Sequence, residues 1–293
     1  MAEAEIGDEG LAPAPVVHVD SMEKLHGKTD FAGLAAHSWN VFRYIGDYMH
    51  LAGIIVLLAT IGKNRSVAGI SRSTQILYFL VFVTRYLDLF DHSQTAYLVF
   101  FKLTYIATSI IVLVLFNIYD KSYERRHDTC NLAVIIIPCA TAALLLTSEY
   151  SMLETLWTFS EFIEGFAMVP QYIFCYRERS GSASLYVISL GGYRVFYGLN
   201  WIYKKIQMPH YSDIQSWIGG IIEIMFFVDF LNYRFTGNSM LRTMVLSVDT
   251  KINEISDKVE MKVLGTSSAT RMETAGGEIR RRTRGDDRPM EDV

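Results

Sequence analysis

Arg43, Asp47 and His50 stand at i, i+4 and i+7 in the stretch FRYIGDYMH, so one helix face carries a guanidinium, a carboxylate and an imidazole. Arg85 and Asp88, at i and i+3 in TRYLDLF, set a second guanidinium beside a second carboxylate. Glu154, Glu161 and Glu164 share a side of a third segment, with Trp157 between them. In YRVFYGLNWIYK, Tyr193, Tyr197, Asn200 and Lys204 form a stripe flanked by Arg194 and Trp201. The chemistry on offer is recognition. Arginine presents a planar fork to a carboxylate, and glutamates beside an aromatic face suit an ammonium through charge and cation–π attraction. A ligand with carboxylates at one end and an amine several bonds away fits that layout. The sequence offers no nucleophile–base pair, no HExxH and no phosphate-binding glycine loop, and its histidines are scattered. No catalytic residue, metal or cofactor is expected.

The segments that hold these residues are apolar. Of 293 residues, 51% are hydrophobic and 13% aromatic, and the mean hydropathy is +0.21, richer than a soluble domain of this length. Spanning about 30 Å of hydrocarbon takes roughly 20 residues. The hydropathy pattern predicts spans over 39–61, 74–90, 95–119, 132–147, 152–176, 184–203 and 216–235. The runs do not alternate, which excludes a β-barrel. The expected fold is therefore an all-α membrane protein with seven transmembrane helices. An odd count fits two three-helix bundles joined by a linker helix, the SWEET/PQ-loop-like plan of small sugar transporters. The fourth span, shortest and least polar, suits the linker. The domain organisation expected is a polar, flexible luminal extension over 1–38, a transmembrane domain over 39–236 and a cytosolic tail over 237–293. The tail starts with an amphipathic helical stretch, LRTMVLSVDTKINEISDKVEMKVL, and ends in a polar segment of disordered character.

Loop charge sets the orientation. Lys63, Arg65, Arg72, Lys121, Arg125, Arg126, Arg177, Arg179, Arg234 and Arg242 fall on one side, and only Lys204 and Lys205 oppose them. The C-terminus is then cytosolic and the N-terminus luminal or extracellular. The first 17 residues are acidic and lack an apolar core, unlike a cleavable signal peptide. The net charge of −4 comes with no basic stripe, so nucleic acid is not an expected partner, whereas membrane lipid is. Three spaced cysteines suggest neither a disulfide framework nor a zinc site.

An ionisable group in the bilayer costs about 2.5–3.5 kcal/mol on insertion scales. Matched charges on four helices at similar depth therefore imply a wet polar cavity between them. Blander readings stand beside this one. Arg43 and Lys204, each taken alone, suit anchors that snorkel to the membrane surface. Asp47 suits a partner for Arg43, and a lone histidine suits a structural hydrogen bond. Trp201 suits the interfacial aromatic belt. Lys102, Glu223 and Asp229 read as isolated charges with no ligand role.

At FRYIGDYMH, AGISRSTQILYFLVFVTRYLDLF, YERRHDT, LETLWTFSEFIEGFAMVPQ and YRVFYGLNWIY, the chain resembles the KDEL receptor family, the ER lumen protein-retaining receptors, from about residue 39 to 233. The resemblance implies a pH-dependent receptor, not an enzyme. It would bind the C-terminal Lys-Asp-Glu-Leu-type retention peptides of escaped ER luminal proteins in the acidic Golgi. A retrograde vesicle coat on the cytosolic side would carry it back to the ER, so ER and Golgi membranes are its expected location. It further implies that Arg85 takes the peptide's terminal carboxylate, that Arg43 and Lys204 take its acidic side chains, and that Glu154, Asp88 and Trp201 frame its lysine. His50, hydrogen-bonded toward Tyr193, would sense protons. Glu164, Arg194, Tyr197, Asn200 and Asp213 would complete the polar network, and Pro170 and Gln171 match the family's helix-kinking pair.

Lys204 stands where the family usually has arginine, Ser73 where it usually has a basic residue, and both extensions are unusual for it. The family's short tail has clustered lysines, whereas here Lys251, Lys258 and Lys262 are spread out, with Arg280, Arg281, Arg282 and Arg284 following later. A small-solute transporter on the same fold and an intramembrane metal-dependent hydrolase are the rival readings. The first needs a cavity opening to both sides and the second convergent His and Asp ligands.

Overall fold

The computed structural model describes residues 40–90, 96–147, 150–177, 184–208, 211 and 213–264. The N-terminal extension, Arg179 and the arginines at 280–282 and 284 lie outside the described residues. All regular structure among the described residues is helical: α1 (Val41–Asn64), α2 (Arg72–Arg85), α3 (Ala96–Ile118), α4 (Ala133–Leu146), α5 (Met152–Phe166), α6 (Val169–Arg177), α7 (Ser184–Gln207), α8 (Ile214–Thr236) and α9 (Leu241–Leu264). Short 3-10 turns cover Leu87–Phe90 and Asp120–Ser122. By length and composition α1, α3 and α8 can each cross a membrane, and α4 is a shorter apolar helix. The chain is an all-α membrane protein.

Capping side chains decide where several helices begin. Asn40 accepts from the amides of Phe42 and Arg43, Ser71 from Thr74, Ser151 from Glu154, and Asp213 from Ser216, each satisfying donors that a first turn leaves open. Gly237, at φ 77°, ends α8 in the left-handed region with its amide on Tyr233 O. Two predicted spans differ from what forms. The expected helix over 152–176 is broken after Phe166, because Pro170 lacks a donor and its ring crowds the carbonyl four residues back. The expected helix over 74–90 ends at Arg85, and Asp88 sits on the 3-10 turn instead.

Three of the quoted sequence stretches meet at one node. Ser71 N donates to Gln171 Oε1 at 2.8 Å, Gln171 Nε2 donates to Gly69 O at 3.0 Å, and Gln171 N donates to Thr74 Oγ1 at 3.0 Å. From the YERRHDT loop, Glu124 accepts from Gly69 N at 2.9 Å, and Asp128 accepts from Ser71 Oγ at 2.7 Å and Ser73 N at 3.0 Å. Tyr123 donates to Asp128 at 2.5 Å. Burial and that carboxylate push the Tyr123 phenol up from its ordinary range. The Pro-Gln pair thus ties the break between α5 and α6 to the start of α2.

Helix α1 packs along α7, α2 lies against α5 and α3, and α5 also meets α4 and α8, while α7 packs on α8. The α1–α7 seam is interlocked: a Cβ on Gly46 would lie 2.9 Å from the Tyr197 ring, and one on Gly53 3.0 Å from Leu190. The α5–α8 seam is backbone on backbone, since a Cβ on Gly165 would lie 2.8 Å from Gly219 O and one on Gly219 2.8 Å from Glu161 O.

The amphipathic tail stretch forms α9. Asp229 of α8 starts it by accepting from Met240 N at 2.8 Å, Leu241 N at 3.3 Å and the Ser239 hydroxyl. Further along, buried Asp249 pairs with Arg177 at 2.7 Å and accepts from Thr129 Oγ1 at 2.5 Å, holding α9 to the end of α6 and the loop before α4. The nearby Cys130 thiol is pushed up to about 12 by burial and by the Asp249 and Asp128 carboxylates, which disfavours its thiolate. Asp249→Ala is expected to leave Arg177 unpaired at a cost of about 1–3 kcal/mol. The loss should appear as faster amide exchange in α9 while α1–α8 are unchanged.

Candidate functional site

The site is built where α1, α2, α5, α7 and α8 meet. Arg85, the last residue of α2, directs its whole fork at α5: Nε donates to Ser160 Oγ at 3.0 Å, Nη2 lies 2.9 Å from Glu161 Oε1, and Nη1 bonds Glu164 Oε2. Arg194 of α7 reaches the same carboxylate, with Nη2 2.5 Å from Glu164 Oε2, and holds Glu223 of α8 through Nε at 2.5 Å. Glu161 also accepts from Ser216 Oγ at 3.1 Å. Two guanidiniums therefore face three carboxylates in one buried cluster. Arg194 also lies 5.6–6.0 Å from the ring centres of Tyr193, Tyr197 and Trp201, so aromatic faces cover the cation where no carboxylate does.

His50 of α1 is buried and stacked between Tyr193, at 4.2 Å and 9°, and Tyr105, at 4.6 Å and 24°. The expected hydrogen bond between His50 and Tyr193 does not form. The Tyr193 hydroxyl donates instead to Glu164 Oε1 at 2.7 Å, a charged and therefore stronger acceptor, and His50 Nε2 meets no hydrogen-bond partner among the described residues. Beside His50, Gln75, Tyr78 and Tyr186 help line a cavity of about 20 Å³, room for one water. Asp47 accepts from Tyr97 at 2.9 Å and from Tyr197, so both carboxylate oxygens are held by phenols.

At the ends of these helices lie the remaining candidates. Asp88 pairs with Lys102 of α3 at 2.8 Å. Asn200 accepts from Asn40 Nδ2 at 2.6 Å, tying α7 to the start of α1. Glu154, Trp201 and Lys204 are buried, Arg43 is half-buried, and Lys204 lies 5.4 Å from the Tyr211 ring centre. Trp201 has Trp217 as a neighbour at 6.1 Å. Asp213 is the cap of α8 and accepts from Tyr211 at 3.3 Å.

Two expectations change. Lys102, Glu223 and Asp229 are not isolated: each has the partner described above. Of the charges expected to line an open wet cavity, Arg85, Arg194, Glu161, Glu164 and Asp88 instead stand in ion pairs, because a buried ion left alone costs several kcal/mol. Lys102 and Glu223 were missed because neither has an oppositely charged residue within helical reach in its own apolar run. The signal that could have found them is the surplus of opposite charge on neighbouring spans, at Asp88 and Arg194. Among the described residues no His, Cys, Asp and Glu group has the arrangement of a metal site.

Residues 66–204 match the family described as ER lumen protein retaining receptor. That stretch takes in the Gly69–Gln171 node, Arg85, the acidic face of α5 and Arg194. A protein named ER lumen protein-retaining receptor from Petunia hybrida is 37% identical over 201 residues, covering 67% of this chain and 94% of its own. The one from Drosophila melanogaster is 37% identical over 194 residues, 65% of this chain and 91% of its own. The one from Dictyostelium discoideum is 37% identical over 203 residues, 66% and 93%. Matches that run nearly the full length of proteins from a plant, an insect and an amoeba, through the very segments that build the charged cluster, place this chain in the family of ER lumen protein-retaining receptors.

Proposed function

We propose that this protein is a receptor for the C-terminal Lys-Asp-Glu-Leu-type tails of ER luminal proteins, gated by protons and cycling between Golgi and ER. The observation that carries this reading is the placement of two poles of opposite sign within one turn of chain: Arg85, buried in carboxylates, and Asp88, holding an ammonium. A peptide with a terminal carboxylate and a lysine three residues earlier offers the same two groups. Arg85 takes the terminal carboxylate, and Asp88, Glu154 and Trp201 take the lysine. Arg43 and Lys204 take the acidic side chains between. Glu164, Tyr193, Arg194, Tyr197, Asn200 and Asp213 hold these groups in place.

The architecture proposed with it is seven spans, formed by α1 to α8 with α5 and α6 as one broken span. The pairing of α1 with α7 and of α2 with α5 supports two facing three-helix bundles, with α4 as linker. Loop charges put α9 and the tail in the cytosol, where a vesicle coat would act, and the N-terminal extension in the lumen.

An unperturbed histidine titrates near 6.5. His50 lies among Glu164 of α5, Arg194 of α7 and Arg85 of α2. Protonating it adds positive charge where an anionic peptide end arrives, so anion and proton favour each other's binding, and acid strengthens the complex. The test is titration of a labelled Lys-Asp-Glu-Leu peptide across pH 5 to 7.5 on purified protein. Affinity is expected to fall roughly tenfold or more toward neutral pH, and His50→Ala is expected to remove a large part of that fall. No acid enhancement in the native protein would end the receptor reading, and an unchanged slope in His50→Ala would end the sensor role.

A further inference from the structure

We propose that Glu161 is a built-in competitor for the peptide's terminal carboxylate: it occupies the Arg85 fork and has to yield it, with uptake of a proton, when the peptide enters. The inference rests on the receptor reading and concerns how the same site is regulated.

The fork of Arg85 hydrogen-bonds Ser160 and Glu164 and makes an ion pair with Glu161 through Nη2, which has no hydrogen-bond partner among the described residues. Of the two carboxylates, Glu164 cannot be released cheaply, because it also bonds Arg194 and Tyr193. Glu161 is held by Arg85 and by one hydroxyl, Ser216 Oγ. Its side chain is 8% exposed against 3% for Glu164. A bidentate partner for Arg85 must therefore take the place of Glu161.

Charge decides the fate of the displaced carboxylate. The groups facing Glu161 are Arg85 from α2, Glu164 from its own helix, Arg194 from α7 and Asp213 from α8, while Glu223 of α8 is held by Arg194. His50 of α1 feels the charge of Glu164, and α4 contributes no charged side chain to this contact. Carboxylates already outnumber guanidiniums at this point. A peptide carboxylate at Arg85 adds another and strips Glu161 of its cation. A carboxylate displaced into a buried site with a surplus of anions takes up a proton. Ser216 Oγ, already within reach, then stays as its hydrogen-bond partner. Because the unbound site binds fewer protons than the occupied one, acid favours binding and neutral pH favours return of ionised Glu161 to Arg85. This proton is additional to that of His50.

The test compares the full-length protein with Glu161→Gln, which keeps the shape and the contact to Ser216 and removes the charge. With the Lys-Asp-Glu-Leu peptide as probe, Glu161→Gln is expected to bind roughly tenfold tighter at neutral pH and little differently at pH 5. Proton uptake on binding, measured by calorimetry in buffers of different ionisation heat, is expected to exceed one in the native protein between pH 5 and 7 and to drop toward one in the variant. An identical pH slope and identical neutral-pH affinity in Glu161→Gln overturn the inference while leaving the receptor reading intact. So does native proton uptake that never exceeds one, a readout that holds even if the variant fails to fold. Absence of acid-enhanced binding in the native protein overturns the receptor reading itself.

Discussion

Arg194→Met is expected to lower stability by about 3–5 kcal/mol, the largest loss from any single substitution in the charged cluster. Its guanidinium is 4% exposed and stands between Glu164 and Glu223, which are 3% and 1% exposed. Methionine fills a similar volume but leaves Glu223 without its cation in a space that hydrates it poorly. Glu164 fares better, because Arg85 remains. The measurement is the thermal midpoint of purified protein in detergent. Adding Glu223→Gln to the same chain is expected to recover a good part of the loss, since an uncharged amide no longer needs the missing partner. A double variant no more stable than Arg194→Met alone would show that the pair is not coupled.

Arg85→Lys is the substitution expected to do most to ligand binding. It keeps the positive charge that Glu161 and Glu164 require, so the fold should survive. It removes the planar fork that a terminal carboxylate needs. Peptide affinity is expected to fall by at least roughly 30-fold, which corresponds to about 2 kcal/mol, at acidic and neutral pH alike. Native-like affinity would mean that the terminal carboxylate is held elsewhere, by another cation of the site such as Arg43 or Lys204.

How far the sequence could be read depended on the range of the interaction. Helix starts at Asn40, Ser71, Ser151 and Asp213 follow from local capping chemistry, and the facing stripes on α1, α5 and α7 follow from helical period. The amphipathic tail stretch forms α9 for the same reason. The break after Phe166 was visible as Pro170, but the extent of the helix on either side was not, because Gln171 fixes it from across the chain. Pairings were the least legible part. That Lys102 finds Asp88, that Arg194 serves two glutamates and that His50 stacks rather than bonds all depend on which helices are neighbours. No period or spacing within one segment encodes that choice.

Where α5 meets α8 at Gly165 and Gly219, nothing protrudes from one helix into the other. Ridge-and-groove contacts resist sliding because side chains must climb out of their notches, and at these two glycines there are none, although Phe166 meets Phe226 across the same seam at 6.4 Å. The opposite seam has teeth, in Tyr197 and Leu190 set against Gly46 and Gly53. A shear of the molecule would therefore leave α1 and α7 in register, and movement of the acidic wall of α5 along α8 would have to break the Ser216–Glu161 hydrogen bond.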